Sequence, residues 1–335
     1  MADGLTGRSG KVRATIVLGV TAIVMLIALA TQWRHSANDS QPARPSASAV
    51  PLDIVIGRFS VHGPGSVNTW WISSPQGAVV IDAQRDVQSA RAAIEQIRSL
   101  NRPVEALLIT HAHPDHIGGI ELFKQAFPNL RVYASQATID GVRTDAAGWQ
   151  QATRRALQQD APSAFALPDR VLANEQRLTV ADITIEVYEM GPGESESSTM
   201  YLMPETGDLF TGDIVSNRVV DFFLEGRTGR WLQQLEWIPR RLPSAQTVRP
   251  GHGGEGPASR LIGDTREYIE FFRAEVTRHL DAGEWDGRAL SAAGRKAVAE
   301  AVQGRYPGYP TVAAIPQLIE LNADAVAREI ASNRR

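Results

Sequence analysis

Residues 104–123 read Val-Glu-Ala-Leu-Leu-Ile-Thr-His-Ala-His-Pro-Asp-His-Ile-Gly-Gly-Ile-Glu-Leu-Phe, and this stretch decides how the chain is understood. His111, His113, Asp115 and His116 place four metal-ligand side chains within six residues. Neutral imidazole and carboxylate are the nitrogen and oxygen ligands that zinc accepts. Residues 104–110 form a short apolar run rich in strand formers, and residues 117–123 read as a turn into a helix that ends near Phe127. The cluster therefore sits in a loop leaving a strand, where α/β folds collect functional groups.

Composition frames this motif. The chain has 335 residues, 43% hydrophobic and 21% charged, which suits one large globular domain with an appendage. The net charge of -3 implies no basic surface, so nucleic acid is not an expected partner. The absence of cysteine excludes disulfides, thiolate metal sites and a cysteine nucleophile. No Gly-x-Ser-x-Gly elbow is present either.

Working outward to the N-terminus, Arg8, Lys11 and Arg13 precede an apolar run from Ala14 to Ala30. The run is slightly short for a relaxed span of ~20 residues, and Ala28-Leu29-Ala30 offers a small-x-small cleavage site. Residues 1–31 thus read as a signal peptide or a membrane anchor. Either form exports the chain beyond residue 31 to a periplasmic or extracellular location, with membrane contact only through an uncleaved segment. Residues 32–51, rich in Ser, Ala, Pro and Asn, read as a flexible linker.

Ordered structure is expected from Leu52. Short strands are expected at 53–56, 59–61, 67–72 and 78–81, the last ending in Asp82, and a helix from Gln88 to Leu100. Gln136 to Gln159 is polar and helix-compatible, placed to cover a site. Strand signals return at 178–180, 183–188, 200–203 and 208–211. Hairpins followed by strand–helix alternation, repeated, imply two sheets sandwiched between helices. From Ala258 to Arg335 the pattern is helical, a C-terminal extension to a domain spanning 52–257.

Further candidate ligands lie far apart in sequence. Gly191-Pro192-Gly193-Glu194-Ser195-Glu196 follows a strand, Leu209-Phe210-Thr211-Gly212 ends in Asp213, and Pro250-Gly251-His252-Gly253 sets a histidine between glycines. Glycine-flanked loops at strand ends allow backbones to approach a shared cleft. With these segments in this order, the chain resembles the metallo-β-lactamase fold superfamily over Leu52 to Pro257. That resemblance implies a four-layer αββα sandwich with metals at one edge. It assigns His111 and His113 to one metal site, Asp115, His116 and His252 to a second, and Asp213 to a bridge between them. Asp82 would hold the ligand loop from behind.

One position departs from the family pattern. A histidine is expected after the Gly-Pro-Gly turn, and Glu194 stands there. Glu194 is the preferred ligand, since carboxylate oxygen coordinates zinc readily, and the alkylsulfatase branch is similar in using a glutamate nearby. Glu196 reaching in, or a single-metal site, are the alternatives. Two divalent ions, Zn2+ first with Mn or Fe as harder options, would support a bridging hydroxide. The expected activity is that of an exported metal-dependent hydrolase of a small ester, lactone, β-lactam, phosphoester or sulfate ester, with Asp115 orienting the nucleophile or moving its proton. An iron-dependent oxidoreductase on the same fold, or a non-catalytic metal-binding protein, are the competing readings. Trp70, Trp71 and Phe222 are candidate substrate contacts, although adjacent strand residues face opposite ways and one tryptophan must point into the core. Arg227 and Arg230 read as solvated loop residues, and His62 as a loop residue without a ligand role.

Overall fold

The computed structural model describes residues 53–334. The expected signal or anchor segment and the linker lie outside them. The described residues belong to one compact unit.

The first sheet contains β1 (Val55–Ser60), β2 (Asn68–Ser73), β3 (Ala78–Ile81), β4 (Val104–Leu108), β5 (Arg131–Ala134) and β6 (Arg170–Val171), in that spatial order. β1, β2 and β3 pair antiparallel, and β3 to β6 pair parallel. The second sheet has the order β12 (Gly256–Pro257), β11 (Thr247–Pro250), β10 (Asp208–Gly212), β9 (Ser198–Met203), β8 (Ile183–Gly191) and β7 (Arg177–Val180). It is antiparallel except where β10 meets β11. The two short strands expected at 53–56 and 59–61 are in fact one, β1, paired along its whole length with β2.

The two-residue period of the strands sorts their side chains into layers. Trp70, Ile72, Val79, Ile81, Ala106 and Leu108 point inward and meet Ile185, Val187, Tyr201, Met203 and Phe210 of the second sheet. Their neighbours Trp71, Ala78, Val80 and Leu107 point outward. There they pack under α1 (Val87–Arg98), with Ile94 and Ile97, and under α3 (Ile120–Ala126), with Phe123. Burial on both faces explains why these strands read as continuous apolar runs.

The outer face of the second sheet is covered by α6 (Thr228–Arg241), α7 (Ala258–Asp281), α8 (Ala292–Arg305) and α9 (Leu318–Asn333). Leu235 and Ile238, Ile269 and Phe272, Val298 and Val302, and Val326 share one core with Met200, Leu202 and Leu209. The helices from Ala258 onward pack on this core and form part of the fourth layer. Residues 136–159 also differ from a single helical stretch. Asp145 and Gly148 adopt left-handed backbone, which divides the stretch into α4 (Gln136–Thr144) and α5 (Trp149–Leu157). The Asp145 carboxylate then accepts the Gln150 backbone N–H at 3.0 Å, capping α5.

Candidate metal centre and cleft

The sequence-predicted ligands come from loops that leave one edge of the sandwich. Pro114 opens α2 (Pro114–Ile117), so the backbone is extended through His113 and helical from there on. That switch places His111 and His113 beside Glu194 and Asp213, and Asp115 and His116 beside His252. One ligand atom from each of His111, His113, Glu194 and Asp213 lies within 4.8 Å of the others, and the same holds for Asp115, His116 and His252. Asp213 also lies 3.3 Å from His116 Nε2 and 3.0 Å from His252 Nε2, so it joins the two groups. Glu194 Oε1 is 3.1 Å from His113 Nδ1 and its Oε2 is 3.6 Å from His111 Nε2. Glu196 is not part of the cluster. It is exposed and paired with Arg227.

Three of the four imidazoles are held from behind by a contact to Nδ1, which decides the nitrogen each offers. His116 Nδ1 lies 2.8 Å from Asp82, leaving Nε2 toward the cluster. His111 Nδ1 meets Thr110 Oγ1 at 3.0 Å, and Thr110 Oγ1 in turn donates to Asp82. His252 Nδ1 meets the Ser66 carbonyl. His113 is reversed: its Nδ1 faces Glu194, while its Nε2 lies 3.5 Å from Glu225 Oε1. Asp82 also accepts the Thr110 backbone N–H at 2.9 Å, so one carboxylate steadies two candidate ligand histidines. Its φ of 62° is a strained conformation for a non-glycine residue, a kind of strain that gathers at functional sites. Gly251 permits the close approach of β10 and β11, because a Cβ there would overlap the Asp213 carboxylate.

The residues fit a metal. His111 Nε2, His116 Nε2, His252 Nε2, both oxygens of Glu194 and Asp213 Oδ1 are buried without a hydrogen-bond partner. A fold normally pairs such atoms, because each one buried bare costs about 1–3 kcal/mol. Their convergence is what divalent ions with nitrogen and oxygen ligands require. The electrostatics agree. Burial alone would lower His252, yet Asp213 and Asp115 push it up to about 10. His116 is likewise raised against burial by Asp213, Asp82 and Asp115, and His113 by Glu194. His111 moves down through burial and the neighbouring imidazoles. Burial raises Glu194, whereas His252 and His116 hold Asp213 well below the carboxylate range despite its burial. A field that holds protons on buried imidazoles also draws a divalent cation.

A cleft of about 280 Å3 opens above this cluster. His113, Asp115 and Asp213 line its floor, and Trp149, Leu157, Phe222, Val312 and Ile315 line its apolar walls. Arg85 is the one arginine or lysine lining it among the described residues, with the guanidinium 3.6 Å from Asp86 and Nε buried without a partner. Phe222 is therefore placed beside the site, its ring centroid 5.2 Å from that of His113. Trp70 and Trp71 are not. Trp70 is 2% exposed, packs edge-on against Phe210 and donates Nε1 to the Pro250 carbonyl at 2.9 Å. Trp71 faces the opposite helix layer. Both face packed layers because β2 is covered on both sides.

Three residues of the site have no local sign in the sequence. Glu225 accepts from Trp149 Nε1 at 2.9 Å and Arg227 Nη1 at 2.8 Å while facing His113. His113 and these donors hold it down at about 2 against its burial. Trp149 and Arg85 reach the cleft from elements that carry no motif.

A two-sheet sandwich with a His, Asp and Glu cluster at its edge defines the class: an αββα protein with a candidate metal centre. The Metallo-beta-lactamase superfamily matches residues 62–284, and the chain belongs to that family. It is 20% identical over 248 residues to a linear primary-alkylsulfatase of Pseudomonas sp. (strain ATCC 19151), covering 63% of this chain and 47% of that protein. The chain thus spans about half the length of that relative. It is 21% identical over 257 residues to a metallo-beta-lactamase type 2 of Bacillus cereus, covering 73% and 92%. Among solved structures it resembles a beta-lactamase domain protein from Burkholderia ambifaria, with TM-score 0.60, 21% identity, and 84% and 86% of the two chains covered. A metallo-beta-lactamase family protein from Thermus thermophilus gives TM-score 0.59 at 17% identity, covering 84% and 93%.

Proposed function

We propose that this protein is a metal-dependent hydrolase that takes two divalent ions, Zn2+ first among them. The observation that carries this reading is the set of buried, unpartnered nitrogen and oxygen atoms gathered from loops far apart in sequence. His111, His113 and Glu194 would hold one ion, Asp115, His116 and His252 the other, and Asp213 both. When bound, the ions supply Lewis acidity and an acidified water near neutral pH. Among the seven ligand residues, Asp115 is the one of intermediate exposure while the rest are buried, and it lines the cleft. Its Oδ2 stands 3.3 Å from His252 Nε2. That position suits it to orient the attacking water and to carry a proton to the leaving group. The apolar walls take the body of the substrate and exclude water from around the scissile bond, and Arg85 favours a substrate with a negative group. The substrate is a small ester, lactone, β-lactam, phosphoester or sulfate ester. The basic and then apolar N-terminal stretch supports export of the catalytic unit.

The test compares metal content and hydrolysis of wild type with Glu194→Ala. About two metals per chain, falling toward one in the variant with hydrolysis down by at least ~100-fold, is the expected result. One metal in both proteins would overturn Glu194 as ligand. Full metal loading without hydrolysis of any of the five substrate classes would overturn the hydrolase reading.

A further inference from the structure

A second cavity, of about 170 Å3, lies between residues 216–221, α7 and the turn at Tyr306–Tyr309. Its chemistry is unlike that of the cleft. Three tyrosines, Tyr268, Tyr306 and Tyr309, line it together with Asp221 and Ser216. The Tyr268 and Tyr306 ring centroids are 4.9 Å apart, and those of Tyr306 and Tyr309 are 5.4 Å apart. Tyr268 is 3% exposed, and its hydroxyl has no hydrogen-bond partner. The Tyr306 hydroxyl is also buried and unpartnered. Buried hydroxyls left bare are uncommon enough to need a reason.

Charge indicates what the cavity would accept. Two of its carboxylates are already neutralised, Asp264 by Arg260 at 3.1 Å and Glu267 by Arg305. Asp221 is 2% exposed and, among the described residues, has no basic side chain within ion-pair distance. Burial pushes its carboxyl up to about 7. Arg218 at the rim is exposed. A buried carboxylate that shares a cavity with two hydroxyls without partners and with aromatic rings lacks a cation that can also donate hydrogen bonds.

We propose that this cavity binds a small ammonium ion, the protonated form of a primary amine, with Asp221 as counter-ion and the Tyr268 and Tyr306 hydroxyls accepting its N–H groups. The site is separate from the metal centre, yet two chain segments connect it to the cleft. Residues 213–222 run from Asp213 through Ser216 and Asp221 to Phe222, and residues 306–315 run from Tyr306 to the cleft wall at Val312 and Ile315. Backbone hydrogen bonds join the two segments, from Val220 N to Pro310 O at 2.8 Å and from Val312 N to Val220 O at 3.1 Å. An ion braced between them would therefore stiffen the cleft wall.

The test is calorimetric titration of the metal-loaded full chain with methylammonium chloride, against sodium chloride at matched ionic strength. Saturable one-to-one binding is expected, with Kd on the order of 1 mM. Asp221→Asn should weaken it at least tenfold and Tyr268→Phe about threefold, and tetramethylammonium, which has no N–H, should bind more weakly. Glu194→Ala should leave it unchanged, which keeps this site distinct from the hydrolase reading. If Asp221→Asn does not fold, Tyr268→Phe carries the test, since it removes a single oxygen. No saturable heat, or equal affinity in both variants, would make the cavity a hydrated cavity only and overturn the proposal. Loss of binding in Glu194→Ala would place the ion at the metal centre and also overturn it.

Discussion

The two sheets supply the candidate metal centre in opposite ways. The first sheet delivers His111, His113, Asp115 and His116 from the one segment that follows β4 and opens α2, within six residues. The second delivers Glu194, Asp213 and His252 singly, from three loops spread over 59 residues. The first contribution is a local motif, and the second exists only once β8 to β11 are paired. Their supports differ too. Asp82 and Thr110 brace the first group through buried hydrogen bonds within one sheet. The second sheet's side lends Glu225, which itself depends on Trp149 and Arg227. A site made this way exists only as a unit, because His111 and His113 meet Glu194, and Asp115 and His116 meet His252, only when both sheets are in place.

Three substitutions probe that contrast. The largest effect is expected for Asp82→Ala. It strips the acceptor from the Thr110 N–H, the Thr110 hydroxyl and His116 Nδ1. Metal affinity measured by competition with a chelator should fall about 10–100-fold, and denaturant unfolding should show a loss of about 2–3 kcal/mol. An unchanged affinity would mean that the loop holds its histidines without a support from β3.

Glu225→Gln should act more narrowly. It keeps the size of the side chain but removes the charge facing His113, so metal affinity should fall about tenfold. Because His113 belongs with Glu194, the metal lost first should be the same one that Glu194→Ala removes. Equal loss of both metals would break the division of the centre into two groups. The smallest effect is expected for Trp70→Phe, which costs the bond to Pro250 O and some packing against Phe210. A stability loss of about 1–2 kcal/mol with kcat/KM within twofold of wild type is the expected outcome. A large change in KM would return Trp70 to the substrate site.

The same contrast explains how much was legible in the sequence. The His111–His116 run, Asp82 at the end of an apolar strand, and the glycines around His252 announce themselves, because the residue types are rare and the spacing is local. The αββα layering was legible from two-residue periodicity and the order of strands and helices. The division of 136–159 into two helices was not, since Asp145 and Gly148 are ordinary residues until their backbone turns left-handed. The place of Trp70 and Trp71 was not legible either. Alternation says that they face opposite ways, but only the covering layers say that neither face is open.

The sequence by itself determined the candidate metal-ligand residue types, the family and the layer order, because each rests on residue type and short-range spacing. Only the tertiary structure decided that Glu194 rather than Glu196 enters the cluster, that Glu225 lies near His113, that Arg85 and Trp149 line the cleft, and that Asp221 shares a cavity with three tyrosines. Those are meetings of residues tens to more than a hundred positions apart. Strand pairing and the packing of helices on sheets set such distances, and no local spacing encodes them.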